Sequence, residues 1–371
     1  MPSDPADLGP LLGKAAGLGT LGGLVSTNIC GPRRLKVGSV RDHILGIKAV
    51  SGRGAEFKSG GRVVKNVTGY DLSKGVTGAY GTLAVLTDII IKVLPKSQTE
   101  QTLAIKGLSD EQASNAMALA MGSNGEVSAT AHLPAGIGGT NSTTLFRLEG
   151  FQASVDYRIQ NLGKLLSEFG QHQKLDESAS REEWLKVRDC RPFTSRQDRS
   201  VWRVSCTPSM GYRIVRALAG ETSFEHFYDW QGGLICLQME EDDPRADLVR
   251  AAVRANGGGH ATLIRADASV RQSVSVFEPQ PDAAATIFPY WVQNGTKAKG
   301  YLELPYTLPQ DHLLFVILQE TSIDILKMKL DWIAEHGGMA LLNTHTDYMC
   351  FEGEKSENET YPVEYYIEFL E

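Results

Sequence analysis

Gly19–Gly46 reads GTLGGLVSTNICGPRRLKVGSVRDHILG. Gly19, Gly22 and Gly23 crowd around Thr20, and Thr27, Asn28 and Ser39 add short hydroxyl and amide groups. Glycine lets a backbone approach a flat or anionic group closely, and N–H groups left free there donate to anionic oxygens. The stretch has the make-up of a loop that holds a phosphate-bearing cofactor. It begins eighteen residues after Met1, and cofactor loops usually rest on a strand or a whole subdomain.

The remainder of the chain sets the bounds. At 371 residues, two or three domains are expected. The residues are 42% hydrophobic and 22% charged, as in ordinary globular proteins, with no apolar run long enough to cross a bilayer. A net charge of −7 argues against a nucleic-acid surface, and the run GPRRLK is too short to reverse that. Cys30, Cys190, Cys206, Cys236 and Cys350 are scattered and odd in number, with no CxxC pair. Reduced thiols in a cytoplasmic protein are expected, without a disulfide framework or a zinc cluster. The N-terminus has neither a basic region nor an apolar core of the kind found in signal peptides.

Three textures follow one another. Residues 1–97 are rich in glycine and strand-like. HILGIKAVSGRGAEFKSGG predicts a hairpin turning at Gly52–Gly54, and GTLAVLTDIIIKVLP predicts a buried strand closed by Pro95. Residues 98–272 alternate strands and helices. Ser109 and Gln112 form a capping box, and Val155, Ile159, Leu162, Leu166 and Phe169 share one helical face. DPRADLVRAAVRANGGG predicts a helix with Asp243 at the N-cap and Pro244 at the first position, ending at Gly257. Strands are predicted at TLAIKG, TLFRLEG, VWRVSC, GLICLQM and HATLIR, which together indicate an α+β domain with helices on one face of an antiparallel sheet. Residues 273–371 are proline- and aromatic-rich, then carry an amphipathic helix ending at Gly337, an apolar strand MALLNTH and a last helix, PVEYYIEFLE.

The blocks of residues 1–97, from DLGPLLGKAAGLGTLGGLVSTNICGPRR through KNVTGYDLSKG to GAYGTLAVLTDIIIKVLP, occur in a family order and spacing. They resemble the second half of the FAD-binding (PCMH-type) domain of the vanillyl-alcohol oxidase / p-cresol methylhydroxylase family. Within it they are most like the FAD-binding subunits of bacterial glycolate oxidases. The resemblance implies FAD as cofactor, with Gly19, Thr20, Gly22, Gly23, Thr27 and Asn28 lining the flavin and its pyrophosphate. It implies a second contact block at Gly38, Ser39 and Asp42, and main-chain contacts to the adenine end at Gly81, Leu83 and Val85. It also implies a preceding subdomain with another phosphate loop, so that the chain is expected to be N-terminally truncated. Turns in a β-rich domain are the plainer account of the same glycines.

The resemblance continues to about residue 268 through EEWLKVRD, VWRVSCTPS, YDWQGGLICLQ and NGGGHATLIRA. In that family the middle domain caps the flavin and walls the substrate site. Oxidation of a 2-hydroxy acid needs a cation for the carboxylate and a base for the hydroxyl proton. His260 is the candidate base and Arg203 the candidate carboxylate clamp, because a guanidinium matches a carboxylate bidentately. A capping histidine and a solvated strand arginine are the plainer readings. Asp229 and Trp230 are candidates for shaping the pocket, and His43 is a further candidate that reads more simply as a surface histidine. The implied activity is that of an FAD-dependent 2-hydroxy-acid (glycolate) oxidoreductase subunit. Iron–sulfur and flavoprotein subunits are its implied partners.

From about residue 274 that likeness ends. FEPQPDAAATIFPYWV, ELPYTLPQDHLLF and MKLDWIAEHGGMALLNTHTDY resemble the C-terminal part of a polysaccharide-deacetylase-like family, which implies a partial βα-barrel segment. The Asp and two His that hold a divalent metal in such enzymes have no counterpart, so no metal site is expected. Asp311, His312, His345 and Asp347 read as relics or structural residues. A deacetylase remnant and a non-catalytic composite fragment are the alternatives to a flavoprotein subunit.

Overall fold

The computed structural model describes residues 2–64, 71–240 and 243–278, and beyond them 290–293, 300–303, 315, 321–336, 349–350 and 361–370. It divides into two compact units, Met1–Glu278 and Pro279–Glu371. The boundary expected near residue 97 lies inside the first unit, between two sheets.

In the first unit, short helices α1 (Leu21–Thr27), α2 (Arg34–Val37) and α3 (Val40–His43) lead into strand β1 (Ile44–Ser51). Strand β1 pairs antiparallel with β2 (Glu56–Gly60) through the turn at Gly52–Gly54, then with β3 (Ala84–Ile91), after the short helix α4 (Leu72–Val76). The order is β2-β1-β3, so β3 is an edge. It forms where a buried strand is expected but is only partly buried, because no described residue covers its outer face: Val85 is 67% exposed.

The second sheet has eight antiparallel strands. They are β4 (Thr99–Lys106), β5 (Ala129–Leu133), β6 (Thr143–Gly150), β7 (His172–Leu175), β8 (Val201–Cys206), β9 (Phe224–Asp229), β10 (Leu234–Met239) and β11 (Gly259–Arg265), in the order β11-β8-β10-β9-β5-β6-β4-β7. This is an α+β architecture. Successive strand side chains point to opposite faces. Leu103, Ile105, Phe146 and Leu148 meet helices α5 (Asp110–Met121) and α6 (Gln152–Leu165) in one core. Trp202, Val204, Ile235, Leu237, Ala261 and Leu263 meet α8 (Gly211–Ala219) and α9 (Ala246–Ala255) in another. The alternate residues, among them Ala104, Leu145, Phe227 and Cys236, face α7 (Glu177–Arg188) and the N-terminal glycine-rich segment.

Local chemistry sets the helix ends. The Ser109–Gln112 capping box starts α5, with Ser109 Oγ 3.3 Å from the Gln112 amide nitrogen. Helix α9 begins at Ala246, later than expected. Asp243 Oδ1 accepts the Arg245 N–H at 2.8 Å, and Arg245 sits in the left-handed region (φ 51°), so Asp-Pro-Arg makes a turn ahead of the helix. A short helix α10 (Ala268–Ser273) follows β11.

Arginines join the glycine-rich segment to the sheet. Arg147 on β6 donates to Asp4 Oδ2 at 3.2 and 3.3 Å while lying 4.7 Å over the Trp184 ring. Arg265 on β11 donates to the carbonyls of Leu11 and Phe193 at 2.8 and 2.9 Å. In this layer Cys190 and Cys236 touch, Sγ to Sγ 3.6 Å, and Asp229 is 3% exposed.

In the second unit the described elements are an antiparallel pair (Tyr290–Gln293 with Gly300–Glu303), a short parallel pair (Met349–Cys350 with Tyr361–Pro362), and helices α11 (Asp324–His336) and α12 (Glu364–Leu370). Phe315, Ile323, Leu326, Ile333, Met349 and Tyr361 form its core. MALLNTHTDY, with Asp311, His312, His345 and Asp347, lies outside the described residues. Among the described residues no helix is long and apolar enough to cross a membrane.

Burial pushes the Asp229 carboxyl up to about 7, against the opposing pull of the Trp230 N–H, Arg203 and Arg147. A carboxyl raised on folding holds a proton that the unfolded chain has already released. Stability therefore falls as pH rises from the ordinary carboxylate value to the raised one, and the loss is complete above it. Replacing Asp229 with Asn keeps the acceptor and removes the titration. The stability advantage of Asp229→Asn over the native chain is expected to grow by on the order of 4 kcal/mol between about pH 4 and about pH 8. Urea unfolding across that range checks this; parallel pH profiles for the two proteins would refute it.

Candidate functional site

Strand alternation builds the floor of a cleft. Trp202, Val204, Ala261 and Leu263 turn into the helix-side core, which leaves Arg203, Ser205, His260, Thr262 and Ile264 on the opposite face. In the antiparallel register Arg203 pairs with Thr262, Ser205 with His260, and Leu234 with Ser205, so these side chains are cross-strand neighbours. Gly259 makes that pairing possible: a Cβ there would lie 2.2 Å from the Ser205 carbonyl oxygen, and its φ of 144° strains any other residue. His260 is the next residue.

The glycine-rich segment supplies the facing wall. Thr20 Oγ1 accepts the Gly23 N–H at 3.0 Å to open α1, and Thr27 Oγ1 donates to the Gly23 carbonyl at 2.9 Å near its end. Asn28 stops the helix in the left-handed region (φ 51°), and its Oδ1 accepts the Arg41 N–H at 3.1 Å. Thr27, Asn28, Ile29, Cys30 and Arg34 thereby come to face the sheet, with Tyr80 beside them. The cleft between them is open to solvent on one side and has a volume of about 250 Å³.

Trp230 holds the two walls together. Its Nε1–H donates to the Gly31 carbonyl at 2.9 Å, and Arg203 Nη2 donates to the Cys30 carbonyl at 3.3 Å. The guanidinium carbons of Arg34 and Arg203 lie 4.7 and 5.7 Å from the Trp230 ring centroid. Trp230 and the following Gln231 both have positive φ (53° and 62°), a strained turn for bulky residues. Tyr80 is held above the ordinary phenol value by burial, with Arg203 opposing.

The structure brings five of the sequence candidates into one cleft: Thr27, Asn28, Arg203, Trp230 and His260. The others lie elsewhere. Gly19, Thr20, Gly22 and Gly23 form the surface-facing start of α1. Gly38, Ser39 and Asp42 serve one another: Asp42 Oδ2 accepts the Ser39 N–H at 2.7 Å and its hydroxyl at 2.8 Å, capping α3. The Ser39 backbone bond, then its hydroxyl, hold the Asp42 carboxyl below the ordinary value. Gly81 and Leu83 lead into β3 and Val85 lies at its start, with Leu83 60% exposed. His43 is buried, not a surface histidine, with Nε2 2.9 Å from the Val37 carbonyl oxygen. Asp229 lies outside the cleft lining, while Trp230 is part of it. Sequence reasoning passed over Arg34, Tyr80, Ser205 and Thr262. The only signal for Arg34 was the run GPRRLK, weighed solely as a nucleic-acid patch.

No family model matches the chain. Over 251 residues, 67% of the chain, it is 32% identical to the glycolate oxidase subunit GlcE of Escherichia coli, aligning with 62% of that subunit. It is 40% identical over 86 residues to the glycolate oxidase subunit GlcD of Bacillus subtilis, which is 23% of this chain and 18% of that one. Over 96 residues it is 38% identical to a D-lactate dehydrogenase of Archaeoglobus fulgidus, 26% of this chain and 22% of that one. The matched part is thus less than two thirds of each relative's length. These similarities lend no support to a polysaccharide-deacetylase reading of residues 274–371. They place the chain's likeness with subunits of glycolate oxidases and with a D-lactate dehydrogenase.

Proposed function

We propose that the chain is an FAD-dependent oxidoreductase subunit that oxidises glycolate or a related 2-hydroxy acid, working with iron–sulfur and flavoprotein partner subunits. One observation carries the reading: Thr27 and Asn28 of the glycine-rich segment share a cleft with Arg203 and His260 of the sheet. The similarity to glycolate oxidase subunits and a D-lactate dehydrogenase supports the same chemistry.

The glycine-rich segment fits a flat ligand. A Cβ added at Gly19, Gly22 or Gly81 would meet nothing within 4 Å, so that side of the backbone is open to a bound group rather than packed against protein. Residues Gly19–Gly23, Thr27 and Asn28 would hold FAD, which when bound supplies the two-electron acceptor for the substrate's hydride. The chain's own residues supply the rest. Arg203 presents its guanidinium to the substrate carboxylate, steadied by the Cys30 carbonyl and the Trp230 ring. His260, unprotonated, takes the hydroxyl proton on a ring nitrogen. Arg203 and His260 are diagonal neighbours across the β8–β11 pair, a relation that spans about 7–8 Å. Both side chains therefore stand on the same patch of the cleft floor, where one small 2-hydroxy acid would meet both. Trp230 and Ile264 exclude water from one side of the cleft.

Purified protein supplied with FAD is expected to show flavin absorbance in the visible range and to lose it on anaerobic addition of glycolate or D-lactate. His260→Ala slows that bleaching by about 100-fold or more. Stopped-flow absorbance reads the rate, and an unchanged rate removes His260 from the mechanism. Arg203→Gln raises KM by about 10- to 100-fold with a smaller effect on kcat, because it removes charge-assisted binding of the carboxylate. An unaltered KM would dissociate Arg203 from the substrate.

A further inference from the structure

Several guanidiniums of the first unit that are shielded from solvent are fully answered. Arg265 donates to four backbone carbonyls, those of Leu11, Phe193, Arg196 and Arg199, and others meet carboxylates. Arg33 lies 3.1 Å from Glu149, Arg147 3.2 Å from Asp4, Arg188 2.7 Å from Asp189 and Arg250 3.5 Å from Glu278. Arg34 and Arg203 are different. Their polar partners are the Cys30 thiol at 3.9 Å and the Cys30 carbonyl at 3.3 Å, together with the shared face contacts to Trp230. Among the described residues neither has a carboxylate within 4.0 Å, and no Asp or Glu lines the cleft. The chain as a whole carries a net charge of −7, so this local excess of positive charge stands against the overall balance.

Two like charges held against one indole in a half-enclosed space repel each other, and partial burial removes some of the water that would screen them. The arrangement is relieved by an anion that answers both. A monoanion such as glycolate pairs with Arg203 and leaves Arg34 as it was. We propose that the cleft takes a dianion, a 2-hydroxy acid that bears a second carboxylate, with Arg203 on the carboxylate next to the hydroxyl and Arg34 on the distal one. The oxidation of the hydroxyl rests on the function proposed above; the pairing of two carboxylates with two guanidiniums does not. Arg34 acts here as a specificity residue. It comes from the glycine-rich segment, so selection between mono- and dicarboxylic substrates falls to the wall opposite the proposed base.

Calorimetric titration of the full chain without added FAD tests this, with succinate and butyrate as probes of equal carbon count and different charge. Succinate is expected to bind at least about tenfold more tightly than butyrate. Arg34→Gln removes that preference, while Arg34→Lys, which keeps the charge, retains a preference for succinate; matching far-UV circular dichroism shows that both variants are folded. Equal affinities for the two acids, or a preference that survives Arg34→Gln, would overturn the proposal. So would inorganic pyrophosphate binding more tightly than succinate and losing its advantage in Arg34→Gln, since that assigns the arginine pair to a phosphate ligand. Flavin bleaching is a separate readout. A chain that prefers succinate without being bleached by any 2-hydroxy acid keeps the dianion site and loses the oxidoreductase reading. A chain bleached by glycolate with no preference for succinate does the reverse.

Discussion

The indole N–H of Trp230 reaches the Gly31 carbonyl across 199 residues of chain, and the cleft depends on that bond. Trp230 and Gln231 occupy the left-handed region, a conformation that costs on the order of 1–2 kcal/mol for residues with a Cβ. Such strain persists only where the surroundings over-determine it. Here they do. The Asp229 carboxyl accepts the Trp230 backbone N–H at 2.7 Å, the indole is tied to Gly31, and two guanidiniums lie against the ring. The indole bond and the Arg34 contact join the end of β9 to the glycine-rich segment, and with Arg203, which reaches the Cys30 carbonyl from β8, they set the separation of the two walls.

Charge is distributed around this junction in two ways. Toward β6 and α7, the Arg147–Asp4 and Arg188–Asp4 pairs close the interface between the segment and the rest of the unit. Their desolvation is offset by the two N–H donors that Arg147 turns on Asp4 Oδ2 and by the Trp184 ring under Arg147. Toward β8 and β11, the guanidiniums are left with neutral partners and face open space. Asp229, buried beside this end, has its carboxyl pushed up to about 7 by burial, so at neutral pH it is only partly ionised and cancels only part of their charge. A closed, self-neutralised interface on one side and an open cationic cleft on the other is the pattern expected when one part of a junction is structural and the other is reserved for an anion.

Much of the fold was legible in the sequence where hydrophobic periodicity was strong. VWRVSC and HATLIR alternate cleanly because one face meets α8 and α9, and the capping box at Ser109 announces α5. Three strands of the second sheet escaped notice, and they lack that signal: Phe224–Asp229 ends in three consecutive buried residues. Ala129–Leu133 is buried along its whole length, so ATAHL shows no alternation, and His172–Leu175 is polar and mostly exposed at the sheet edge. GTLAVLTDIIIKVLP misled in the other direction, since its β-branched run reads as buried while its outer face is open. The cleft was harder still. Arg203 and His260 stood out by residue type, but that they meet Thr27 and Asn28 depends on strand register and on Trp230. Arg34 drew attention only as a charge in a short basic run; its stacking partner lies almost two hundred residues away.

Because each wall of the cleft comes from a different part of the chain, the site exists only while the glycine-rich segment is packed on the sheet. The short helices α1–α3 have little stability of their own, since helices of four to seven residues are marginal without tertiary support. Their support is this interface: Leu11, Val25 and Val40 buried against the sheet-face core, and Arg147, Arg265 and Trp230 bound to backbone or side chains of the segment. A ligand that bridges the walls binds the packed arrangement and not the separated one, so its binding energy adds directly to the stability of the junction, by RT ln(1 + [L]/Kd). An anion spanning Arg34 and Arg203 does this with charge-assisted bonds on both sides. Ligand binding and the ordering of the glycine-rich segment are therefore one equilibrium. The strained turn at Trp230 is the element through which they are coupled, because the ring that ties the segment down is also the surface on which both arginines rest.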